Sequence, residues 1–83
     1  MPKRTSTNRQ RRLNGLRAIA FAEQGGLCFW CARPMRLPAP GDDGSDPALA
    51  TAEHLVPRSR GGTDRQENVV AACAPCNNRR YGF

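Results

Sequence analysis

Long apolar runs are missing from this sequence. No stretch approaches the roughly 20 residues needed to cross a bilayer, so a membrane partner is not expected. The N-terminus, Met1-Pro2-Lys3-Arg4-Thr5-Ser6-Thr7-Asn8, has no apolar core behind it, and no secretory leader is expected either. Aromatic residues make up 6% and all hydrophobic residues 39% of the 83 positions. A chain this short buries only about 60% of the surface its unfolded form exposes. With so few large side chains, a disulfide, a metal or a partner is expected to brace the fold. Acidic residues are scarce, seven against thirteen basic ones, and the net charge is +6. Lysine occurs once, at Lys3, and histidine once, at His54.

The charge that is present is unevenly spread. Residues 1–36 hold eight Lys/Arg against Glu23 alone, for a net +7. Residues 37–53 hold Asp42, Asp43, Asp46 and Glu53 with no base, for −4, and residues 54–83 return to +3. Twelve of the thirteen basic residues are arginine, whose planar fork suits bidentate contact with phosphate. A polyanionic partner follows, nucleic acid being the usual one, rather than a small-molecule substrate. Arginine abundance beside so much Ala, Gly and Pro also fits a GC-rich genome, which explains the total better than the clustering.

Along the chain, residues 1–26 read as a basic tail followed by a helix, and residues 27–83 as the functional domain. From Asn8 to Gln24, Leu13, Leu16 and Ala20 fall at helical spacing with Ile19 beside them, and Gly25-Gly26 ends the run. This narrow apolar face should dock on the rest of the domain, and its arginines face either phosphate or solvent. Leu27-Cys28-Phe29-Trp30-Cys31 reads as a tight knuckle whose two aromatics are expected to fill the small core, with stacking of Trp30 on a base as the alternative. Leu37 to Asp46 is a Pro/Gly/Asp loop, too acidic to face nucleic acid. Ala48 to Val56 reads as a strand carrying Glu53-His54 and ended by Pro57. Ser59 to Glu67 is a polar loop. Asn68 to Ala72 reads as a second strand, with helix as the alternative, and Ala74 to about Tyr81 as a closing helix. The fold class expected is small α+β.

The cysteines form two Cys-x-x-Cys pairs, Cys28/Cys31 and Cys73/Cys76. In a reducing, cytoplasmic setting such pairs read as metal ligands; the alternative is two disulfides, with three possible pairings. Four thiolates suit one tetrahedral Zn²⁺ at about 2.3 Å. Such a closed site has no open position, so this zinc is expected to be structural. The 41 residues between the pairs exceed the spacing of ordinary zinc ribbons and suit a clamp around an inserted unit. Zinc binding is worth about 10–16 kcal/mol in finger peptides, more than this core could supply.

A single histidine beside a carboxylate, with Asn68 fourteen and Asn77 twenty-three residues beyond it, suggests metal-assisted hydrolysis with histidine as general base. Other metal chemistries fail on spacing. A zincin needs His-Glu-x-x-His, and there is no second histidine. A zinc deaminase needs His-x-Glu with Pro-Cys-x-x-Cys, whereas Val56 stands two after His54 and Ala72 precedes Cys73. As ordinary structure, His54 would be a strand histidine and the two asparagines turn or helix caps.

The ordered set Thr51-Ala52-Glu53-His54-Leu55-Val56-Pro57-Arg58-Ser59-Arg60-Gly61-Gly62, Glu67-Asn68-Val69-Val70 and Cys73-Ala74-Pro75-Cys76-Asn77 resembles the HNH endonuclease family. The likeness is closest to the zinc-stapled members common in phages and bacteria, and it covers about residues 27–80. It implies a ββα-metal (His-Me finger) fold and a metal-dependent DNA endonuclease, in a bacterial or phage-infected cell. By position, His54 matches the general base and Asn68 the residue that fixes the loop and orients that base. Glu53 and Asn77 match the ligands of a catalytic divalent ion, for which their hard oxygen donors suit Mg²⁺ or Mn²⁺. Arg58, Arg60, Arg65, Arg79 and Arg80 are placed to contact DNA phosphates, and the chain is expected to act as a monomer or weak dimer. The departure is Glu53, since Asp is commoner there, and its extra methylene moves the carboxylate outward. The final helix is also short. The rival function is a non-catalytic zinc-dependent DNA-binding or accessory module of a larger DNA-processing complex, which explains cysteines and charge but not the Glu-His-Asn-Asn spacing.

Overall fold

The computed structural model describes residues 8–81, with side chains described as far as Arg79. The expectations placed on the basic tail before Asn8 and on the Arg80 side chain lie outside the described residues. In chain order the elements are helix α1 (Asn8–Glu23), strand β1 (Ala50–His54), 3₁₀ turns at Arg58–Arg60 and Gln66–Asn68, strand β2 (Val69–Cys73) and helix α2 (Ala74–Tyr81). Two antiparallel strands and the helix that follows give the ββα arrangement, a small α+β fold with α1 added at its N-terminal side.

Helix α1 ends where its sequence says it must. Gly25 and Gly26 both take positive φ, 66° and 77°, which an L side chain rarely adopts, and Gly26 N–H closes back on Phe21 C=O at 2.8 Å. The turn leaves Gln24 facing the outer edge of β2. There its side-chain amide copies a neighbouring strand: Nε2 donates to Ala71 C=O at 2.9 Å and Oε1 accepts from Ala71 N–H at 3.0 Å. Phe29 N–H shares the same Ala71 carbonyl at 3.0 Å, so helix end and knuckle are stitched to one edge.

The register aligns Ala50 with Cys73 and His54 with Val69. The core between α1 and the strands consists of Ala20, Cys28, Met35, Ala50, Ala71, Ala72, Cys73 and Cys76, with Phe21 packed against it. Its members are mostly alanines and cysteines, each offering one methyl or one thiol, so little apolar surface leaves water. This is why the cysteines matter to stability.

The expected packing of Phe29 and Trp30 in that core is wrong. They are 46% and 41% exposed and touch each other edge to face at 4.8 Å between ring centroids. The knuckle is the reason: it turns through Ala32 at φ 63°, with Ala32 N–H on Cys28 C=O at 3.0 Å, burying Cys28 and bringing the more exposed Cys31 Sγ to 3.8 Å from Cys73 Sγ. The two residues between Cys28 and Cys31 are thereby pushed out. Phe21, from α1, supplies the aromatic packing instead. Of the apolar stripe on α1, Leu13 and Ala20 are buried, whereas Ile19 is 43% exposed.

Candidate functional site

The Sγ atoms of Cys28, Cys31, Cys73 and Cys76 all lie within 4.8 Å of one another, and Cys31 Sγ is 3.8 Å from Cys73 Sγ. A tetrahedron of sulfurs at 2.3 Å from one ion has edges of about 3.8 Å, so the cluster has the size of a four-thiolate metal site. The four cysteines are free rather than disulfide-bonded. The acidities of Cys28, Cys73 and Cys76 also call for a cation. Burial pushes Cys28 up, but N–H donors from Cys31, Cys73 and Trp30 outweigh it and bring the thiol down to about 6. Burial, with the Cys28 and Cys31 thiols, pushes Cys73 up, and burial with the other three thiols pushes Cys76 up to about 12. The Cys28 thiolate forms readily, whereas Cys73 and Cys76 need positive charge beside them to ionise. The cluster thus fits a structural metal such as zinc, joining the knuckle to the β2–α2 junction.

That junction also sets the position of Asn77. Cys76 and Asn77 lie in the first turn of α2, so the cysteine cluster and Asn77 share one helical turn. Asn77 Nδ2 donates to Thr51 Oγ1 at 2.9 Å, and Thr51 in turn donates to Ala72 C=O at 2.7 Å. The amide is thereby oriented with Nδ2 on the sheet, and Oδ1 is the atom it can offer a cation. Thr51 was not singled out as a site residue; only the antiparallel register brings it to the helix.

A cavity of about 260 Å³ is lined by Arg9, Ala52, Glu53, His54, Pro57, Arg58 and Asn77. The end of β1 and the start of α2 thus bring three of the expected site residues, Glu53, His54 and Asn77, to one concavity. Glu53 is 1% exposed, and Trp30 Nε1 donates to its Oε2 at 2.7 Å. A carboxylate buried this deeply is costly without compensating charge, and with the Asn77 amide it makes a hard, oxygen-rich pair suited to a divalent ion.

Asn68 works on the backbone rather than at the cavity. Its Oδ1 accepts from Val56 N–H at 2.9 Å, and its Nδ2 donates to Val56 C=O at 3.1 Å and Thr63 C=O at 2.9 Å. It closes the loop that leaves β1 just after His54. Gly62 permits the same closure, because a Cβ there would stand 1.7 Å from Val56 C=O.

His54 Nε2 lies 2.7 Å from Asp64 Oδ1. Asp64 also takes Arg9 Nε at 2.9 Å and Arg58 Nη1 at 2.7 Å. Arg58 is therefore the only one of the described DNA-contact candidates that lines the cavity; Arg60, Arg65 and Arg79 are exposed elsewhere on the surface. Arg9 and Asp64 were missed. The basic start of α1 hinted at the first, but an Asp in a glycine-containing loop reads as a turn residue.

A protein-family model described as HNH endonuclease matches residues 28–82. No curated protein and no solved structure gives a significant match.

Proposed function

Because this chain belongs to the HNH endonuclease family, we propose that it is a divalent-metal-dependent DNA endonuclease with His54 as its single general base. The family membership supports a nuclease function acting on nucleic acid in general. The observation that carries the finer reading is the meeting of Glu53, His54, Asn77 and Arg58 around one cavity.

Glu53 and Asn77 would hold Mg²⁺ or Mn²⁺, which when bound neutralises charge at the scissile phosphate and stabilises the leaving oxygen. His54 accepts the proton of the attacking water, whose oxygen forms the new bond to phosphorus as the bond to the 3′ oxygen breaks. Products with 5′-phosphate and 3′-hydroxyl ends follow from the family resemblance. Asn68 keeps the loop behind His54 in register, and Trp30 steadies the Glu53 carboxylate. Arg58 neutralises phosphate oxygens at the cavity mouth, and Arg60, Arg65 and Arg79 extend the attraction along the duplex. The four cysteines act at a distance, by holding a structural zinc that fixes α2 against β1.

A nicking assay on supercoiled plasmid tests this directly. With Mg²⁺ or Mn²⁺ the wild-type protein should convert supercoiled to relaxed DNA, and without divalent ion it should not. A folded, zinc-loaded protein that binds the plasmid but leaves it intact under both ions would make it a DNA-binding or accessory module instead.

A further inference from the structure

Asp64 stands where three segments meet, one of which, the start of α1, is remote in sequence. His54 comes from the end of β1, Arg58 from the 3₁₀ turn after it, and Arg9 from the start of α1. One oxygen, Oδ1, lies 2.7 Å from His54 Nε2; the other, Oδ2, accepts Arg9 Nε at 2.9 Å and Arg58 Nη1 at 2.7 Å. The Asp64 side chain is 9% exposed, whereas those of Arg9 and Arg58 are 49% and 52% exposed. A carboxylate that only capped a surface turn would not need three charged or polar donors on its two oxygens.

The bond from His54, with help from both arginines and against the opposition of burial, holds the Asp64 carboxyl well below the usual range. An ionised carboxylate can only accept. The proton between the two side chains therefore sits on Nε2, and in a neutral imidazole the lone pair then falls on Nδ1. The arginines are held at the same time. Each guanidinium carries five N–H donors and gives Asp64 one nitrogen, so its half-exposed edge can grip a phosphate oxygen. One negative charge against two positive ones leaves this wall of the cavity attractive to a polyanion.

We propose that Asp64 is a positioning residue for the hydrolysis: it fixes the ring and tautomer of His54 and holds Arg9 and Arg58 as a paired grip on the phosphodiester backbone. This rests on the reading of His54 as the proton acceptor. It brings α1 into the site and adds Arg9 to the residues that touch DNA.

The single histidine makes the test unambiguous, because ¹⁵N-histidine labelling yields one imidazole. Long-range ¹H–¹⁵N spectra of the zinc-loaded protein, without DNA or divalent ion, should show Nε2 protonated, Nδ1 unprotonated, and an Nε2 proton shielded from solvent exchange. Asp64→Ala should lose that shielded proton and cut single-turnover cleavage by about ten- to a hundredfold, the scale of a misplaced reacting group. Arg9→Ala should keep the imidazole signature and instead weaken DNA binding, lowering the log K against log salt slope by about 0.9. Asp64→Asn, nearly isosteric, guards against a folding failure: as a weaker, neutral acceptor it should speed exchange of the Nε2 proton. A shielded Nε2 proton that survives in both Asp64 variants, or a wild-type imidazole protonated on Nδ1, overturns the proposal. A wild-type protein with the signature that cleaves nothing would overturn the nuclease reading alone. One that cleaves without the signature would overturn the Asp64 proposal alone.

Discussion

Replacing Asn68 with alanine isolates the loop that holds the base. The side chain is nearly buried, with the residue 8% exposed, and it makes three hydrogen bonds to backbone groups of Val56 and Thr63. Alanine fills none of them, and no other described side chain reaches those groups. A buried polar group left unsatisfied costs about 1–3 kcal/mol. Val56 and Thr63 lie near the surface, so water can reach part of the gap and the low end applies to each. The expected loss is about 3 kcal/mol. A domain of 83 residues has only about 4–12 kcal/mol in total, so the variant should melt far earlier. In urea at fixed free zinc, with a slope near 1.5 kcal/mol/M, the midpoint should fall by about 2 M without a change of slope. Cleavage should fall too, since Asp64 sits on the loop that Asn68 closes. Asn68→Asp sharpens the test. A carboxylate facing two carbonyls is disfavoured, so the folded-state pKa of the new side chain should be raised. A raised pKa stabilises below the unfolded value and is lost as pH rises through the folded one. Stability of Asn68→Asp relative to wild type should therefore be better at mildly acid pH than at neutral pH. A loss under about 1 kcal/mol for Asn68→Ala would refute the assignment of those bonds.

Further outcomes follow from the same geometry. Elemental analysis should give about one zinc per chain, and Cys73→Ser should unfold the domain; a well-folded, metal-free protein with two disulfides would contradict this. Trp30→Phe removes the indole N–H that lies 2.7 Å from Glu53 Oε2, and should lower Mn²⁺ affinity by about tenfold in calorimetry while leaving zinc content unchanged. Affinity for DNA should fall with salt at a log–log slope of roughly −4 to −5, and replacing Arg58 and Arg60 together with alanine should flatten it by about 2 on every sequence. An unchanged slope would place the DNA face elsewhere.

The secondary structure was legible because its signals are local. Helical spacing of Leu13, Leu16 and Ala20 before Gly25-Gly26 marks a helix over residues 8–24, and α1 runs Asn8–Glu23. Strands expected over residues 48–56 and 68–72 appear as Ala50–His54 and Val69–Cys73, and the closing helix starts at Ala74 as read. The cysteine cluster was legible for a chemical reason, since two Cys-x-x-Cys pairs in so thin a core have few other uses. What the sequence hid depends on closure in three dimensions. Asp64 reaches His54 across ten residues and Arg9 across fifty-five, through a loop shaped by Asn68 and Gly62. Nothing local distinguishes it from a turn aspartate. Phe29 and Trp30 misled in the opposite sense. Aromatics in a small protein usually pack inside, but the knuckle commits its inner face to sulfur and leaves them on the surface, where Trp30 turns its N–H to Glu53.

The most direct test of the central claim compares His54→Ala and Asn77→Ala in single-turnover plasmid cleavage, at matched zinc content and across a Mn²⁺ titration. A general base contributes about 10²–10⁴-fold, so His54→Ala should lose that much at every Mn²⁺ concentration while still binding DNA and the ion. Asn77→Ala should lose affinity for the ion, and extra Mn²⁺ should restore part of its rate. Rescue of both variants to the same extent, or wild-type cleavage by His54→Ala, would contradict the assignment of His54 as the base.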